Sequence, residues 1–114
     1  MSDIIDINVI DSLKEIGDQE FLNELIDIFF SQSEELMRDI NNFSEKKDSE
    51  SLNKASHKLK GSCLNLGAKA MSATCQKIET SSRENDLSKI DFNVSELTKL
   101  HQETCTELKK LRQE

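Results

Sequence analysis

Two histidines, His57 and His101, are the residues of this sequence best suited to chemistry at neutral pH. A neutral imidazole nitrogen is a competent nucleophile and a metal ligand without an activating base. Lys54 and Thr98 stand three residues before the two histidines, where di-iron proteins built on helical bundles carry a glutamate. This spacing argues against a di-iron centre at either histidine.

Other catalytic motifs are missing from the sequence. It has no P-loop, no kinase glycine-rich loop and no G-x-G-x-x-G, so we predict that the protein neither binds ATP nor phosphorylates itself. No Asp or Glu lies close to His57 along the chain, and the only nearby hydroxyls belong to Ser56 and Ser62. A nucleophilic triad is therefore unsupported.

The three cysteines, Cys63, Cys75 and Cys105, form no C-x-x-C pair and have no histidine at zinc-ligand spacing. An odd number of such cysteines is typical of a reducing compartment, where a thiol serves as a small buried apolar side chain. We therefore expect no metal site and no cofactor on this chain.

Helices must position these residues, because the chain has no proline, only three glycines, and apolar residues at helical spacing along nearly its whole length. A short first helix is predicted to end at Gly17 in a left-handed cap. Asp18 then caps a long helix over about residues 18–46, and the polar residues 46–51 form a turn.

Three further helices follow this turn. The third stops at Gly67, the fourth frays over residues 81–86, and Asn93 followed by Glu96 resembles a capping box that begins the last helix. The apolar face of the third helix is formed by Leu52, Ala55, Leu59, Cys63 and Leu66.

The predicted fold class is all-α, an antiparallel four-helix bundle with a short additional N-terminal helix. The 114 residues fit a single domain, 1–114, in which residues 1–7 form a loose lead. Met1 before this short lead favours a stand-alone chain.

His57 lies about 160° from the centre of the apolar face of the third helix, so it faces solvent. Gly61 follows one turn later on the same face, although a glycine inside a helix costs about 1 kcal/mol relative to alanine. Leu64 adds an apolar contact to this outer surface, and Lys60 flanks the histidine. An exposed histidine is commonly an ordinary surface residue, but these neighbours indicate a docking site.

Charge supports this interpretation. Between residues 51 and 77 the chain has five lysines and neither Asp nor Glu, although its net charge is −7. The lysines are Lys54, Lys58, Lys60, Lys69 and Lys77. A solvated lysine face would not explain the missing acids, whereas an anionic partner or a phosphoryl group would.

His101 falls inside the apolar arc of the last helix, between Leu97, Thr104, Cys105 and Leu108. We interpret it as a neutral, buried core histidine rather than a reactive one.

Several stretches together resemble the histidine phosphotransfer (HPt) domain over about residues 8–84. They are Ala55-Ser56-His57-Lys58-Leu59-Lys60-Gly61-Ser62, then Asn65-Leu66-Gly67-Ala68, then Met71, Cys75, Ile78 and Glu79. The segment from Leu13 through Ile16-Gly17-Asp18 to Phe29 is similar to the N-terminal half of the family. Met71 and Leu64 depart from the usual pattern, and the last helix carries no family motif.

The resemblance implies a phosphorelay intermediate in which His57 carries the phosphoryl group between receiver domains. It implies that Lys60 neutralises phosphoryl oxygens and that the Mg²⁺ and the catalytic aspartates belong to the receiver. A polar side chain of the neighbouring helix orients the imidazole in many members of the family. Gln76 and Glu79 are both candidates for that role here.

The implied partners are response-regulator receiver domains and an upstream hybrid sensor kinase, approached through Lys54, Lys58, Gly61 and Leu64. A net acidic surface argues against nucleic acid and anionic membranes as main partners. The longest apolar run is residues 28–30, too short to span a membrane, so we expect a cytoplasmic protein. We also expect it to be a monomer. The alternative is an adaptor that binds a partner through the His57, Gly61 and Leu64 face without chemistry.

Overall fold

The structure of the protein is a computed structural model that describes residues 3–113. These residues form five α-helices and contain no β-strand. The helices are α1 (Ile7–Ile16), α2 (Gln19–Lys46), α3 (Ser49–Leu66), α4 (Lys69–Arg83) and α5 (Ile90–Leu111). The all-α prediction is confirmed.

Four of the helices form a closed antiparallel bundle in the order α2, α3, α4, α5, with α5 returning to pack on α2. The short connections between them favour this up-and-down arrangement. The side-chain contact of Ser33 on α2 with His101 on α5, at 2.9 Å, joins the first and last of the four helices. The short α1 packs across α2 and α3.

The core is mostly aliphatic, with the buried ring of Phe29 among its side chains, and it runs along the bundle axis. Its fully buried side chains include Leu22 of α2, Leu59 of α3, Ile78 of α4 and Leu97 of α5. Within each helix the buried residues recur at helical spacing, so each helix buries one face and leaves the opposite face to solvent. The chemistry-bearing side chains must therefore stand on outer faces or at helix contacts.

Two of the predicted helix ends are confirmed. The carboxylate of Asp18 accepts a hydrogen bond from the backbone N–H of Phe21, at 2.9 Å, and so caps α2. Gly67 ends α3 in the left-handed conformation, with φ of 71°. The turn after α2 is shorter than predicted, since Asp48 already caps α3 by accepting from the N–H of Ser51.

The predicted left-handed cap at Gly17 is wrong, because its φ is −110°. A Cβ at this position would collide with the ring of Phe21, which packs against the bare backbone. A glycine is therefore required here by the close approach of a side chain from the next helix and not by a left-handed turn.

The predicted start of the last helix is also wrong. α5 begins at Ile90, three residues before Asn93, which lies inside the helix and is buried. Asp86 shapes the preceding turn by accepting hydrogen bonds from the N–H and the hydroxyl of Ser88. The fourth helix ends at Arg83, inside the stretch 81–86 over which fraying is predicted.

The predicted loose lead is corrected within the described residues. Ile5 is buried in the core, and the N–H of Asp6 donates to the carbonyl of Gly67 at 2.7 Å. The segment before α1 therefore packs against the connection between α3 and α4. Residues 1 and 2 lie outside the described part of the chain.

Within residues 3–113, none of the helices has the length and apolar character that crossing a membrane requires.

Candidate functional site

His57 stands on the outer face of α3, and its side chain is 68% exposed. The opposite face of the same helix buries Leu59 and Cys63 completely. The predicted outward placement is therefore confirmed, and it follows from the helical spacing of these residues.

Glu79 of α4 approaches His57 from the neighbouring helix. Both of its carboxylate oxygens lie 3.3 Å from Nδ1 of the imidazole. The backbone carbonyl of Glu79 accepts a hydrogen bond from the side-chain amide of Asn53 on α3, at 2.8 Å. The hydrogen bond from Asn53 fixes the position of Glu79 along the axis of α3. The carboxylate of Glu79 therefore contacts the imidazole from the side that faces the bundle.

Lys60 lies one turn from His57 and is only 20% exposed. Its ammonium nitrogen is 2.8 Å from Oε1 of Glu79 and 2.9 Å from Oε1 of Gln76. The hydrogen bond from Lys60, followed by that from His57, holds the pKa of Glu79 below its usual value, although burial acts in the opposite direction. Glu79 is therefore a carboxylate at neutral pH.

An ionised carboxylate only accepts hydrogen bonds, so the contact with Glu79 requires the proton of neutral His57 to sit on Nδ1. Nε2 then carries the free lone pair. Because the side chain is mostly exposed, this arrangement presents an unprotonated imidazole nitrogen as a nucleophile.

The two candidates for orienting the imidazole are separated by the structure. Glu79 contacts His57, whereas Gln76 contacts Lys60 and donates to the hydroxyl of Thr80 at 2.9 Å. One lysine of the five-lysine stretch has an acidic partner from another helix, because Glu79 of α4 forms an ion pair with Lys60. Lys60 is thus engaged within the chain, and its predicted contact with a phosphoryl group stays a prediction.

The surface around His57 is open. A Cβ added at Gly61 would meet no atom within 4 Å, and Leu64 is 58% exposed. Lys58 is exposed, and Lys54 is exposed with a loose ion pair to Glu50 of the preceding turn, at 3.4 Å. The four predicted partner-binding residues therefore all reach solvent on α3.

A groove between α2 and α3 runs beside this surface. Glu35 and Asp39 line it from α2, while Lys58 and Ser62 line it from α3. Ser62 also donates a hydrogen bond to the side chain of Gln32 on α2, at 3.1 Å. Charges of both signs thus flank the outer face of α3.

His101 is half-buried between α2 and α5, less deeply than predicted. Its Nε2 lies 2.9 Å from the hydroxyl of Ser33 and 3.5 Å from the thiol of Cys105. Burial lowers the pKa of His101, with nearby Glu34 acting in the opposite direction, so the imidazole is neutral at pH 7.

Cys63 and Cys75 are buried, as predicted, while Cys105 is only partly buried. Contact with Cys75 and burial both raise the pKa of the Cys63 thiol. Across residues 3–113, no three side chains of the His, Cys, Asp and Glu types are grouped to hold a metal ion.

The sequence-based interpretation missed two residues of the site. Asn53 fixes the backbone of Glu79, and Thr80 holds the amide of Gln76. The spacing of Gln76 and Thr80, four residues apart on one helix, is the signal that pairs them. Asn53 gives no such signal, because its partner lies 26 residues away on another helix.

Comparison with protein families matches residues 24–114 to the Hpt domain family. The phosphorelay intermediate protein YPD1 of Candida albicans is 31% identical over 80 residues, which are 68% of this chain and 44% of that protein. The chain therefore spans less than half the length of this curated relative.

Among solved structures, histidine-containing phosphotransfer protein B (HptB) from Pseudomonas aeruginosa PAO1 superposes with a TM-score of 0.93. The two chains are 25% identical, and the match covers 98% of this chain and 96% of the other.

This chain belongs to the Hpt domain family, the histidine phosphotransfer class of two-component phosphorelay proteins. The family resemblance is thereby confirmed from residue 24 onward, and the family match extends beyond residue 84 through α5. Proteins of this class work in phosphorelays with receiver and kinase partners.

Proposed function

We propose that this protein is a phosphorelay intermediate whose phosphoacceptor is His57. It takes a phosphoryl group from the aspartyl phosphate of one receiver domain and passes it to the aspartate of another response regulator. One observation carries the proposal: Glu79 holds Nδ1 of an exposed imidazole and leaves Nε2 free.

The transfer balances as a simple exchange of bonds at phosphorus. The Nε2 lone pair forms the N–P bond while the bond from phosphorus to the aspartate oxygen breaks, and that oxygen leaves as a carboxylate. In the onward step a second aspartate oxygen attacks phosphorus, and the N–P electron pair returns to Nε2. The Nδ1 proton stays in place throughout, because Glu79 accepts its hydrogen bond.

Lys60 is proposed to neutralise phosphoryl oxygens near His57, since a compact ammonium suits a group that bears spread negative charge. The chain itself is proposed to need no cofactor. The Mg²⁺ and the reacting aspartates would come from the receiver, which binds the phosphoryl group on its own side of the interface.

The docking surface is proposed to be the outer face of α3, with Gly61 allowing close approach and Leu64 giving an apolar contact. Lys54 and Lys58 would attract the acidic pocket of a receiver. The protein is proposed to be a cytoplasmic monomer, and its upstream donor a hybrid sensor kinase that carries its own receiver.

The second candidate function is a partner-binding adaptor that uses the same face without chemistry. The placement of Glu79 against Nδ1 favours transfer, because an adaptor has no need of a fixed imidazole tautomer.

The test is incubation with a phosphorylated receiver, followed by detection of acid-labile, base-stable label. Wild type should acquire the label and His57→Gln should not. His101→Gln is the matched control and should keep the label, because His101 lies between α2 and α5, away from Glu79. Label retained by folded His57→Gln would refute the assignment, and binding of a receiver without any label would favour the adaptor.

A further inference from the structure

Gln76 is the polar residue near the site that the proposed transfer does not yet use. Its amide oxygen accepts a hydrogen bond from the ammonium of Lys60 at 2.9 Å. Its amide nitrogen donates to the hydroxyl of Thr80, one turn later on α4, at 2.9 Å. Both ends of the amide group are therefore engaged, so its oxygen is held in a fixed direction toward Lys60.

The two acceptors that hold Lys60 differ in charge. Glu79 offers a carboxylate oxygen at 2.8 Å, which neutralises the ammonium. Gln76 offers a neutral amide oxygen, which fixes the position of the ammonium and leaves its charge intact. A lysine side chain has a flexible four-carbon stem, so its position depends on such anchors.

We propose that Gln76 is a positioning residue that keeps Lys60 beside His57 while the phosphoryl group arrives. This inference rests on the proposed phosphotransfer at His57. Glu79 is shared between His57 and Lys60, so phosphoryl oxygens on Nε2 would compete with Glu79 for the same ammonium. During that exchange the contact with Gln76 persists, because a neutral acceptor does not compete for the charge.

Without Gln76 the ammonium would retain only Glu79 or water as partners. In the first case its charge stays cancelled by the carboxylate, and in the second the long side chain swings away from the imidazole. Either result leaves less positive charge at the transferring group, where fixed charge stabilises the transition state most. Stability should change little, since Gln76 itself is exposed.

The test is a double-mutant cycle on single-turnover transfer from a phosphorylated receiver. Gln76→Leu, which keeps the bulk and removes the acceptor, should slow transfer at saturating receiver by about threefold to tenfold. The receiver concentration at half-maximal rate should stay unchanged, because Gln76 acts on Lys60 and not on docking. In a Lys60→Met background, Gln76→Leu should have no further effect.

A second variant guards against a folding defect. Thr80→Val removes the acceptor that fixes the amide of Gln76, so it should slow transfer in the same direction and by a smaller factor. Thermal melts of all variants establish that the bundle is intact. An unchanged rate in folded Gln76→Leu would overturn the proposal, and so would an equal loss with and without Lys60.

These outcomes are separate from the test of the proposed function itself. If His57→Gln still accepts the label, the acceptor is misassigned and the cycle loses its basis. If labelling depends on His57 while Gln76→Leu transfers normally, only the role of Gln76 is refuted.

Discussion

The imidazole of His57 is held on one side and open on the other. Glu79 reaches Nδ1 from the bundle side, while one turn along α3 a Cβ at Gly61 would have no neighbouring atom within 4 Å. A reacting group needs both features, because its nitrogen must be fixed and a partner must come within bonding distance.

Substitution of Gly61 should move stability and transfer in opposite directions. Gly61→Ala should stabilise the protein by up to about 1 kcal/mol, because alanine is the better helix former and its Cβ meets open space. Gly61→Arg should fold but slow transfer by about tenfold or more, because a large side chain would keep the receiver from His57. Thermal melts and transfer rates measure the two effects.

Two outcomes would contradict this view of Gly61. Normal transfer by Gly61→Arg would mean that receivers dock elsewhere. An unfolded Gly61→Arg protein would mean that the position is buried in solution.

His101 should make the protein less stable as the pH falls below neutrality. Its pKa in the fold lies below the ordinary value of 6.5, because burial disfavours the charged form. Between these two values the unfolded chain binds more protons, so the free energy of unfolding decreases as the pH falls through 6.5. His101→Gln removes this group and should flatten the dependence in the pH range that begins near 6.5 and extends to lower pH.

Urea unfolding of both proteins at several pH values provides the measurement. The slopes of wild type and His101→Gln should differ only in this window. Identical slopes would show that His101 titrates alike in the folded and unfolded states.

At the scale of helices, the ends of α2 and α4 depend on residues other than glycine in the left-handed conformation. Lys47 has φ of 56° after α2, and Asn85 has φ of 55° after α4. Asparagine tolerates this conformation, whereas lysine does so at a cost of about 1 kcal/mol. The C-terminal end of α2 is therefore less stable with Lys47 than it would be with glycine at this position.

Lys47→Gly should raise the free energy of unfolding by about 0.5–1 kcal/mol, because glycine adopts the left-handed conformation without strain. The lost ion pair with Asp91, at 3.5 Å on the surface, contributes little. Lys47→Ala is the control, since it removes the same ion pair and keeps the strain. Equal stability of the glycine and alanine variants would refute this explanation.

Helix positions were predictable because apolar spacing alone identifies which face is buried. Helix ends were less so: Gly17 and Gly67 both follow an apolar stripe, yet only Gly67 has a positive φ. The difference is the ring of Phe21, which comes from the next helix. Asn93 likewise matches a capping pattern although it lies inside α5. The helix begins earlier, at the buried residue Ile90, and no local signal in the sequence indicates that Ile90 is buried.

The site was predictable to the same degree. Outward placement of His57 followed from one helix, whereas the choice between Gln76 and Glu79 did not. These two residues lie three positions apart on the same face of α4, so either could approach α3. Which partner each residue contacts depends on the position of α4 along the axis of α3. The hydrogen bond from Asn53 to the Glu79 carbonyl fixes that position.

At the scale of the whole molecule, the domain is proposed to be a carrier and not a source of phosphoryl groups. ATP with Mg²⁺ and no other protein should therefore leave it unlabelled, since the sequence contains no nucleotide-binding motif. The measurement is self-labelling of protein purified twice by different routes. Label that persists in a second, tag-free preparation would contradict this prediction.

The buried thiols of α3 and α4 allow the opening of the bundle to be measured by their alkylation rates. Cys63 and Cys75 are fully buried on the two helices that carry His57 and Glu79, so an alkylating reagent reaches them only when these helices separate. Cys105 should react first, because it is partly exposed. The ratio of alkylation rates in the folded and unfolded protein, followed by mass spectrometry, then gives the free energy of that separation. A receiver that binds the outer face of α3 should lower the alkylation rate of Cys63. The rate at this buried thiol would therefore measure docking on the opposite face of the helix.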